Sequence, residues 1–294
     1  MTLAFDDPVG SWATTLFCPL GVEGVYGRTA LFERVIDGLG RLIARNRDPG
    51  MEVLRFPPVM SRAQLERTGY QNNFPQLLGG VCCLGHEAGK AGNGVDWAAA
   101  ASTSDLVVTP AACYPVYPLV AARGRVPEGG LLFDVTADCF RREPSRQLDR
   151  LQSFRMREFV TVGSSEQASA FRERWLSRAS ELANELCLNH RIDKASDPFF
   201  GRTGQLLALS QVEQSLKYEL LIPVYSQERP TACMSFNYHL DHFGETWQLK
   251  GAKGELAHTA CVAFGLDRLA LALFVTHGAD LDSWPQSARA ALEL

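Results

Sequence analysis

The spacing of apolar residues predicts two long amphipathic helices. The first covers residues 27–47 and carries an aliphatic stripe: Leu31, Val35, Leu39, Leu42 and Ile43. The second covers residues 164–189, where Ser164 and Gln167 form a capping box at the start. Its apolar stripe consists of Ala168, Phe171, Trp175, Leu182 and Leu186. A further helix is predicted over residues 203–214, and a short one follows Ser61 as its N-cap.

Short apolar runs predict the strands. They lie at residues 52–56, 106–109, 131–135 and 215–224, and residues 232–247 alternate enough to predict a strand or a hairpin. Residues 258–278 change from a strand to an apolar helix at Gly265. We expect an ordered loop at residues 69–75 and a flexible loop at the glycine-rich residues 79–94. Because no crossover helix interrupts residues 131–162, the order of elements predicts an α+β fold with an antiparallel sheet backed by helices.

Six arginines fall within residues 140–159: Arg141, Arg142, Arg146, Arg150, Arg155 and Arg157. The whole chain has a net charge of −4, so this positive cluster is local. The segment has the pattern of two strands joined by a loop, and arginine offers a rigid set of donors suited to phosphates and carboxylates. It therefore predicts either a solvated basic hairpin or an anion-binding one. Arg268 stands at the start of the last apolar helix, where backbone N–H groups also favour an anion.

Composition limits the classes of protein to which the chain can belong. Its 294 residues are 46% hydrophobic, which allows a large core, and its net charge argues against a general nucleic-acid-binding surface. No apolar run reaches the roughly 20 residues of a membrane span, and the first ten residues lack the features of a signal peptide. Eight cysteines occur without a CxxC pair, which is typical of a reducing compartment. We therefore expect a cytoplasmic protein.

Three segments together resemble the class II aminoacyl-tRNA synthetases. The sequence Phe140-Arg141-Arg142-Glu143, followed by Arg150 and Phe154, resembles motif 2 of that class, and Gly265-Leu266-Asp267-Arg268 resembles motif 3. Residues 28–58 resemble motif 1, the dimer motif, so the resemblance implies a homodimer. It covers about residues 28–276 and implies one class II synthetase-like catalytic domain over residues 1–294. The segments FPPVMSRAQLERTGY, Lys217-Tyr218-Glu219 and His258-Thr259 are similar to those of the seryl branch.

Two features narrow the resemblance to the amino acid:[carrier protein] ligases. The chain leaves no room for the large N-terminal tRNA-binding domain of seryl enzymes, and Cys113, Glu158 and Cys261 resemble the zinc ligands of their atypical, archaeal-type members. The resemblance implies ATP-dependent activation of a small amino acid, glycine or alanine, to an aminoacyl-adenylate. It also implies transfer to the phosphopantetheine thiol of an acyl or peptidyl carrier protein, with carrier docking on a helical insertion at residues 164–214. A compact seryl-tRNA ligase and a non-catalytic paralogue with a regulatory role remain alternatives.

The resemblance assigns the nucleotide site residue by residue. Arg141 would contact the α-phosphate and the substrate carboxylate as the catalytic arginine, and Glu143 would accept a hydrogen bond from the adenine amino group. Phe154 would stack on adenine, Arg268 would cover its other face and hold the terminal phosphate, and Arg150 would reach the β- and γ-phosphates. We expect three further arginines of the cluster to be solvated surface residues without a ligand role: Arg142, Arg146 and Arg155.

The resemblance also implies two metals. Cys113, Glu158 and Cys261 would bind Zn²⁺ and leave a fourth position for the substrate amino group, while the other cysteines belong to the core. His239 and His242 are a rival metal pair, but on a predicted strand they would point to different faces.

ATP requires Mg²⁺, yet Ala232-Cys233-Met234-Ser235 lacks the acid that seryl enzymes carry before motif 3. Glu219 and Asp241 are the candidate replacement acids.

Overall fold

The computed structural model of the chain describes residues 13–85 and 96–294. Its strands are, in chain order, β1 (Phe17–Val22), β2 (Val25–Arg28), β3 (Glu52–Arg55), β4 (Val59–Ser61), β5 (Gly80–Leu84), β6 (Ala101–Val108), β7 (Leu131–Phe140), β8 (Ser153–Gly163), β9 (Arg191–Lys194), β10 (Lys217–Ile222), β11 (Thr231–Tyr238) and β12 (His258–Gly265). Its helices are α1 (Ala13–Leu16), α2 (Ala30–Arg45), α3 (Arg62–Arg67), α4 (Tyr70–Asn73), α5 (Trp97–Ala100), α6 (Val116–Arg123), α7 (Ser165–Glu185), α8 (Gly201–Glu213), α9 (His242–Trp247), α10 (Leu266–His277) and α11 (Gln286–Leu292).

Seven of the described strands form the main sheet, in the spatial order β3-β7-β8-β12-β11-β10-β9. Neighbouring strands are antiparallel except β3 and β7, which run parallel. The central hairpin is long, because β7 and β8 pair from Leu131 with Val162 to Phe140 with Ser153. The predicted α+β fold is therefore confirmed, and the arginine cluster lies at the loop end of this hairpin and on the first part of β8.

One face of the main sheet carries the larger hydrophobic core, which α2, α7 and α10 cover. Trp175 of α7 is fully buried, with its ring 4.9 Å from that of Phe159 and 5.8 Å from that of Phe264. The capping box of Ser164 and Gln167 starts α7 as predicted. Complete burial of one such large apolar side chain stabilises the fold by about 1.5–3 kcal/mol.

The opposite face of the sheet carries a smaller core and the functional groups. Alternate residues of a strand point to opposite faces, so Val262 of β12 belongs to the larger core while Cys261 and Ala263 belong to the smaller one. Helices α6 and α9 cover this face, and Tyr117 of α6 stacks on Phe243 of α9 with ring centroids 3.8 Å apart. The two cysteines predicted as ligands thus share one side of the sheet.

Two predictions of local structure are wrong. Residues 239–247 do not continue a strand, because Leu240 has a left-handed backbone (φ 53°) and α9 begins two residues later. Residues 80–84 are not a flexible loop but strand β5 of a three-stranded sheet, β4-β6-β5; residues 86–94 of that prediction lie outside the described residues. The predicted ordered loop at residues 69–75 contains the short helix α4. The apolar pattern also missed the β1–β2 hairpin, α6, β9 and α11.

The predicted helical insertion, residues 164–214, has three parts with different surroundings. α7 packs against β8, β11 and β12, and β9 extends the edge of the main sheet by pairing with β10. α8 is different, since Gly204 is its single buried residue. Within the described ranges, no helix combines the length and apolar character needed to cross a membrane.

Candidate active site

A cavity of about 510 Å³ opens on the smaller-core face of the main sheet. Its walls come from β8, β10, β11, β12, the start of α10 and the inner side of α8. On β8 the alternation of side chains aims Phe154, Met156 and Glu158 into the cavity, and on β12 it aims Cys261 and Ala263 there.

Arg141 and Phe154 form one wall of the cavity across the β7–β8 hairpin. The Arg141 guanidinium lies 5.5 Å from the centroid of the Phe154 ring, and its Nε donates a hydrogen bond to the Pro110 carbonyl oxygen at 3.0 Å. Glu143 lines the same wall. A positive fork beside a half-buried aromatic ring can bind a phosphate and a flat base together.

Arg268 enters the cavity from the first turn of α10. Its Nε donates to the Asp149 carbonyl oxygen at 2.7 Å and its Nη1 donates to that of Ala232 at 3.0 Å, which fixes the direction of the guanidinium. Burial lowers the pKa of Arg268, although the nearby Cys233 acts in the opposite direction. A desolvated arginine held in this way gains most from an anionic ligand.

Asp267, the residue before Arg268, connects the three motif segments. Its carboxylate is buried and accepts hydrogen bonds from Arg28 Nε at 3.0 Å, from Arg155 Nη2 at 3.1 Å and from the Arg155 backbone N–H at 2.6 Å. Arg155 also donates to Glu33 of α2 at 2.5 Å. The prediction that Arg155 is solvated surface is therefore wrong, whereas Arg142 and Arg146 are exposed as expected.

Cys113, Glu158 and Cys261 meet at the other end of the cavity. Their ligand atoms all lie within 4.8 Å of one another, and all three residues are buried. The Cys113 backbone N–H donates to Glu158 Oε1 at 3.0 Å, which orients the carboxylate.

The electrostatics of this trio fit a cation. A hydrogen bond with Cys261, burial and the Glu158 charge raise the pKa of Cys113 well above its usual range, and burial raises that of Glu158. The pKa of Cys261 is also raised by burial, although its hydrogen bond with Cys113 opposes the shift. Three acids that resist ionisation in a dry site ionise readily once a divalent metal binds them. Two sulfurs and one carboxylate are a donor set that Zn²⁺ accepts.

The two histidines predicted as a rival metal pair do not form one. His239 lies in a turn, with Nδ1 3.0 Å from the Thr259 hydroxyl and Nε2 3.7 Å from Cys261 Sγ, whereas His242 is the exposed first residue of α9. Burial lowers the pKa of His239 to about 4, so its ring is neutral at pH 7. His239 therefore contacts a candidate ligand rather than a second metal site.

A charge network around the buried Lys217 joins α8 to the cavity. Lys217 donates to Asp197 Oδ1 at 2.5 Å and forms an ion pair with Glu219 at 3.1 Å. Gln211 of α8 donates to the other oxygen of Asp197 at 2.9 Å and accepts from its backbone N–H at 2.7 Å. Glu219, a candidate Mg²⁺ ligand, is thus already paired with a cation, which argues against that role.

The structure brings seven of the eight predicted site residues to the cavity wall: Cys113, Arg141, Glu143, Phe154, Glu158, Cys261 and Arg268. Arg150 is the exception, because it lies exposed in the loop of the hairpin while its neighbour Asp149 faces the cavity. Asp241, the other candidate for Mg²⁺, is not among the cavity-lining residues of the described chain. Asp149 Oδ1 is buried without a hydrogen-bond partner in the described part of the chain.

Two known proteins cover nearly the whole chain. Amino acid–[acyl-carrier-protein] ligase 2 of Bradyrhizobium diazoefficiens is 60% identical over 295 residues, a match that covers 98% of this chain and 88% of that protein. Ligase 1 of the same organism is 58% identical over 296 residues and covers 98% and 90%. The chain belongs to the amino acid–[acyl-carrier-protein] ligase family. No protein-family model matches it.

The fold of this ligase family member is that of the class II seryl-tRNA synthetases. The crystal structure of M. kandleri SerRS in complex with A. aeolicus tRNASec superposes with a TM-score of 0.80 at 22% identity. The match covers 96% of this chain and 58% of the seryl enzyme, so the ligase corresponds to little more than half of that protein. The fold expected from the motif resemblance is confirmed.

Several residues of the ligase cavity escaped the sequence analysis. Asp197 lies in the loop before α8 and Gln211 lies within α8, and no local pattern connects them with Lys217, which the sequence analysis noted only as part of the family resemblance. Asp267 was noticed as part of a motif and not as a buried anchor; a charged residue beside apolar neighbours at a helix start was the available signal. Asp149 was overlooked because it lies within the arginine-rich residues 140–159.

Proposed function

We propose that this protein uses ATP to activate a small amino acid, glycine or alanine, and transfers it to the phosphopantetheine thiol of a carrier protein. One observation supports this above all. A single cavity has an arginine- and phenylalanine-lined end suited to a nucleotide and a Cys113–Glu158–Cys261 end suited to a metal that binds an amine. Membership in the ligase family supports the choice of a carrier protein as the acceptor.

Activation joins two anions, so positive charge and positioning supply the catalysis. A carboxylate oxygen of the amino acid forms a bond to the α-phosphorus while the bond to the pyrophosphate oxygen breaks. Arg141 stabilises the charge on the reacting phosphate, Phe154 and Glu143 orient the adenine, and Arg268 holds the phosphate tail. Arg150, exposed nearby, would join the β- and γ-phosphates from the loop. The thiol sulfur then bonds to the carbonyl carbon, and AMP and a proton are released.

We assign Zn²⁺ to Cys113, Glu158 and Cys261. When bound, the metal supplies a Lewis acid that takes the substrate amino group in its uncharged form. For Mg²⁺, Asp149 is the acid whose free oxygen fits best. It lies close to Ala232, the position that lacks the expected acid, because Arg268 bridges the two backbones.

We place carrier docking on α8, within the segment 164–214. Its outer side and the preceding residue expose large apolar side chains that do not line the cavity, which are Phe200, Leu206, Leu209 and Val212. Leu206 and Leu209 are 68% and 61% exposed, values unusual for leucines of a helix unless a partner covers them. The inner side of the same helix lines the cavity, so a flexible thiol arm from a docked carrier has a short path to the adenylate.

We further expect a homodimer located in the cytoplasm. Edge strand β3 exposes Val53 within residues 28–58, the region that resembles the dimer motif, and β1, which precedes that region, exposes Leu20 and Val22. Light scattering coupled to size exclusion tests the dimer directly. A monomeric mass at micromolar concentration would contradict it.

The function is tested in two stages. Pyrophosphate exchange with each of the twenty amino acids measures activation, and we expect exchange with glycine or alanine only. Labelled amino acid is then offered to holo-carrier and to tRNA, with apo-carrier as the control. Label on tRNA rather than holo-carrier would favour a compact seryl-tRNA ligase, and absent ATP binding in calorimetry would favour a non-catalytic regulator.

The metal assignment has a matched control within the chain. Cys113 and Cys139 are both buried, but Cys139 lies outside the ligand trio. We expect Cys113→Ala to remove bound zinc and Cys139→Ala to retain one zinc per chain, as measured by elemental analysis. Unchanged zinc in Cys113→Ala would exclude that residue from the site.

A further inference from the structure

Tyr117 carries a hydroxyl group that the fold buries without an obvious use. The residue is 0% exposed, and its ring is fixed by stacking on Phe243 at an interplanar angle of 11°. The hydroxyl has no hydrogen-bond partner among the described residues that meets normal geometry. Buried polar groups rarely lack a hydrogen bond, because burying an unpaired hydroxyl costs free energy. A phenylalanine would fill the same space without that desolvation penalty.

The surroundings of this hydroxyl point to the ligand trio. Tyr117 follows Cys113 by four residues, at the start of α6. Tyr117 belongs to the same buried cluster as Cys113 and Cys261, and its ring meets that of His239 edge-on with centroids 6.3 Å apart. Tyr117 is not among the described residues that line the cavity, so it meets the trio from the protein interior and does not touch the substrate space.

Cys261, the other cysteine of the trio, has two side-chain nitrogens close to its sulfur. Asn237 Nδ2 donates to Cys261 Sγ at 3.4 Å, and His239 Nε2 lies 3.7 Å from the same sulfur. A metal-bound thiolate has no proton, so both nitrogens must act as donors when the site is filled. The Thr259 hydroxyl at His239 Nδ1 allows this, since it can donate to Nδ1 and leave the ring proton on Nε2.

We propose that Tyr117 is a positioning residue of the metal site, and that its hydroxyl donates a hydrogen bond to the Cys113 thiolate when the metal is bound. This inference rests on the metal assignment in the proposed function. Two thiolates and a carboxylate carry three negative charges against the two positive charges of Zn²⁺. Donors at both sulfurs offset part of the excess, hold the ligands in place and keep the metal acidic enough to bind an amine.

Tyr117→Phe tests the role, because it removes the hydroxyl and keeps the ring that stacks on Phe243. The probe is Co²⁺ loaded in place of zinc, whose sulfur-to-metal absorption bands report the thiolates directly. We expect these bands to shift and the Co²⁺ dissociation constant to rise about 10-fold. Tyr70→Phe is the matched control: Tyr70 is also buried with an unpartnered hydroxyl within the described chain, but it lies on α4, where its ring packs on Phe74.

The result can overturn the role of Tyr117 separately from the ligase activity. A wild-type spectrum and affinity in Tyr117→Phe, with unchanged thermal unfolding, would show that the hydroxyl does not act on Cys113. A wild-type chain that takes up no Co²⁺ would overturn the metal site and this role together. Both readouts are made without ATP or carrier, so a chain that binds Co²⁺ normally but charges no carrier would overturn the proposed function alone.

Discussion

Replacing Asp267 by asparagine removes a negative charge that faces both Arg28 and Arg155. The Asp267 side chain is 2% exposed, and the two arginine side chains are only 15% and 22% exposed, so water cannot replace the lost carboxylate fully. Removing one partner of a buried ion pair costs about 3–5 kcal/mol. Arg155 keeps Glu33, and Arg28 keeps the Tyr26 and Ser153 carbonyl oxygens, so we expect the free energy of unfolding to fall by about 2–3 kcal/mol.

We expect Asp267→Asn to weaken ATP binding as well. Asp267 holds the backbone N–H of Arg155, the residue after Phe154, and it directly precedes Arg268. If Phe154 and Arg268 shift, we expect ATP binding to lose the free energy of about one hydrogen bond, about 1.4 kcal/mol. That loss raises the ATP dissociation constant about 10-fold.

Urea unfolding and titration calorimetry measure the two effects. The control is Asp282→Asn, since Asp282 is 94% exposed beside Arg289 and its loss costs under about 0.5 kcal/mol. If Asp267→Asn unfolds like this control and binds ATP like the wild type, the network does not support the site.

Three further outcomes are expected. Leu209→Asp lowers the rate of transfer to holo-carrier at least about 10-fold and leaves pyrophosphate exchange unchanged; equal losses in both assays would exclude a docking role. Phe154→Leu raises the Michaelis constant for ATP about 10-fold, because base stacking contributes about 1–3 kcal/mol, and steady-state exchange kinetics would show it. Burial raises the pKa of Asp197, but the Lys217 charge and the Gln211 hydrogen bond outweigh it and lower the pKa below 3.8. Its stabilisation is therefore present above that value and lost as pH falls through the folded pKa, so urea unfolding between pH 5 and 2 should be less acid-sensitive in Asp197→Asn.

The parts of the fold that the sequence could predict are those with a strong period. The stripe of α7 predicted its start to within one residue because Ser164 caps the helix, and burial of Trp175 follows from the same stripe. The strand predicted at residues 131–135 continues to Phe140, since the polar Thr136 and Asp138 alternate with buried Ala137 and Cys139. Residues 239–247 were misjudged because the left-handed Leu240 interrupts an alternating pattern, and packing of Phe243 on Tyr117 then favours a helix.

In the candidate site too, some residues could be predicted from the sequence and others could not. Phe154, Glu158 and Arg268 line the cavity, because their positions on β8 and α10 determine where they point, whereas Arg150, in the hairpin loop, does not. Asp197 and Gln211 could not be found in this way. They meet because the segment between β9 and α8 brings Asp197 beside Gln211, 14 residues further along the chain, and no short-range pattern records this contact.

Two neighbouring strands explain why one cavity can serve both ends of an aminoacyl-adenylate. On β8, Phe154 and Glu158 point to the same face and stand four residues apart, which is about 13 Å at 3.3 Å per residue. The proposed intermediate is extended, with a flat base at one end and an amino group at the other, and under the proposed assignment this single strand supplies a contact for each end. Opposite them on β12, Ala263 pairs with Glu158 and Gly265 pairs with Met156, and these small residues leave room between the two ends. If the proposed roles hold, a larger side chain at Ala263 excludes the intermediate without moving Phe154 or Glu158.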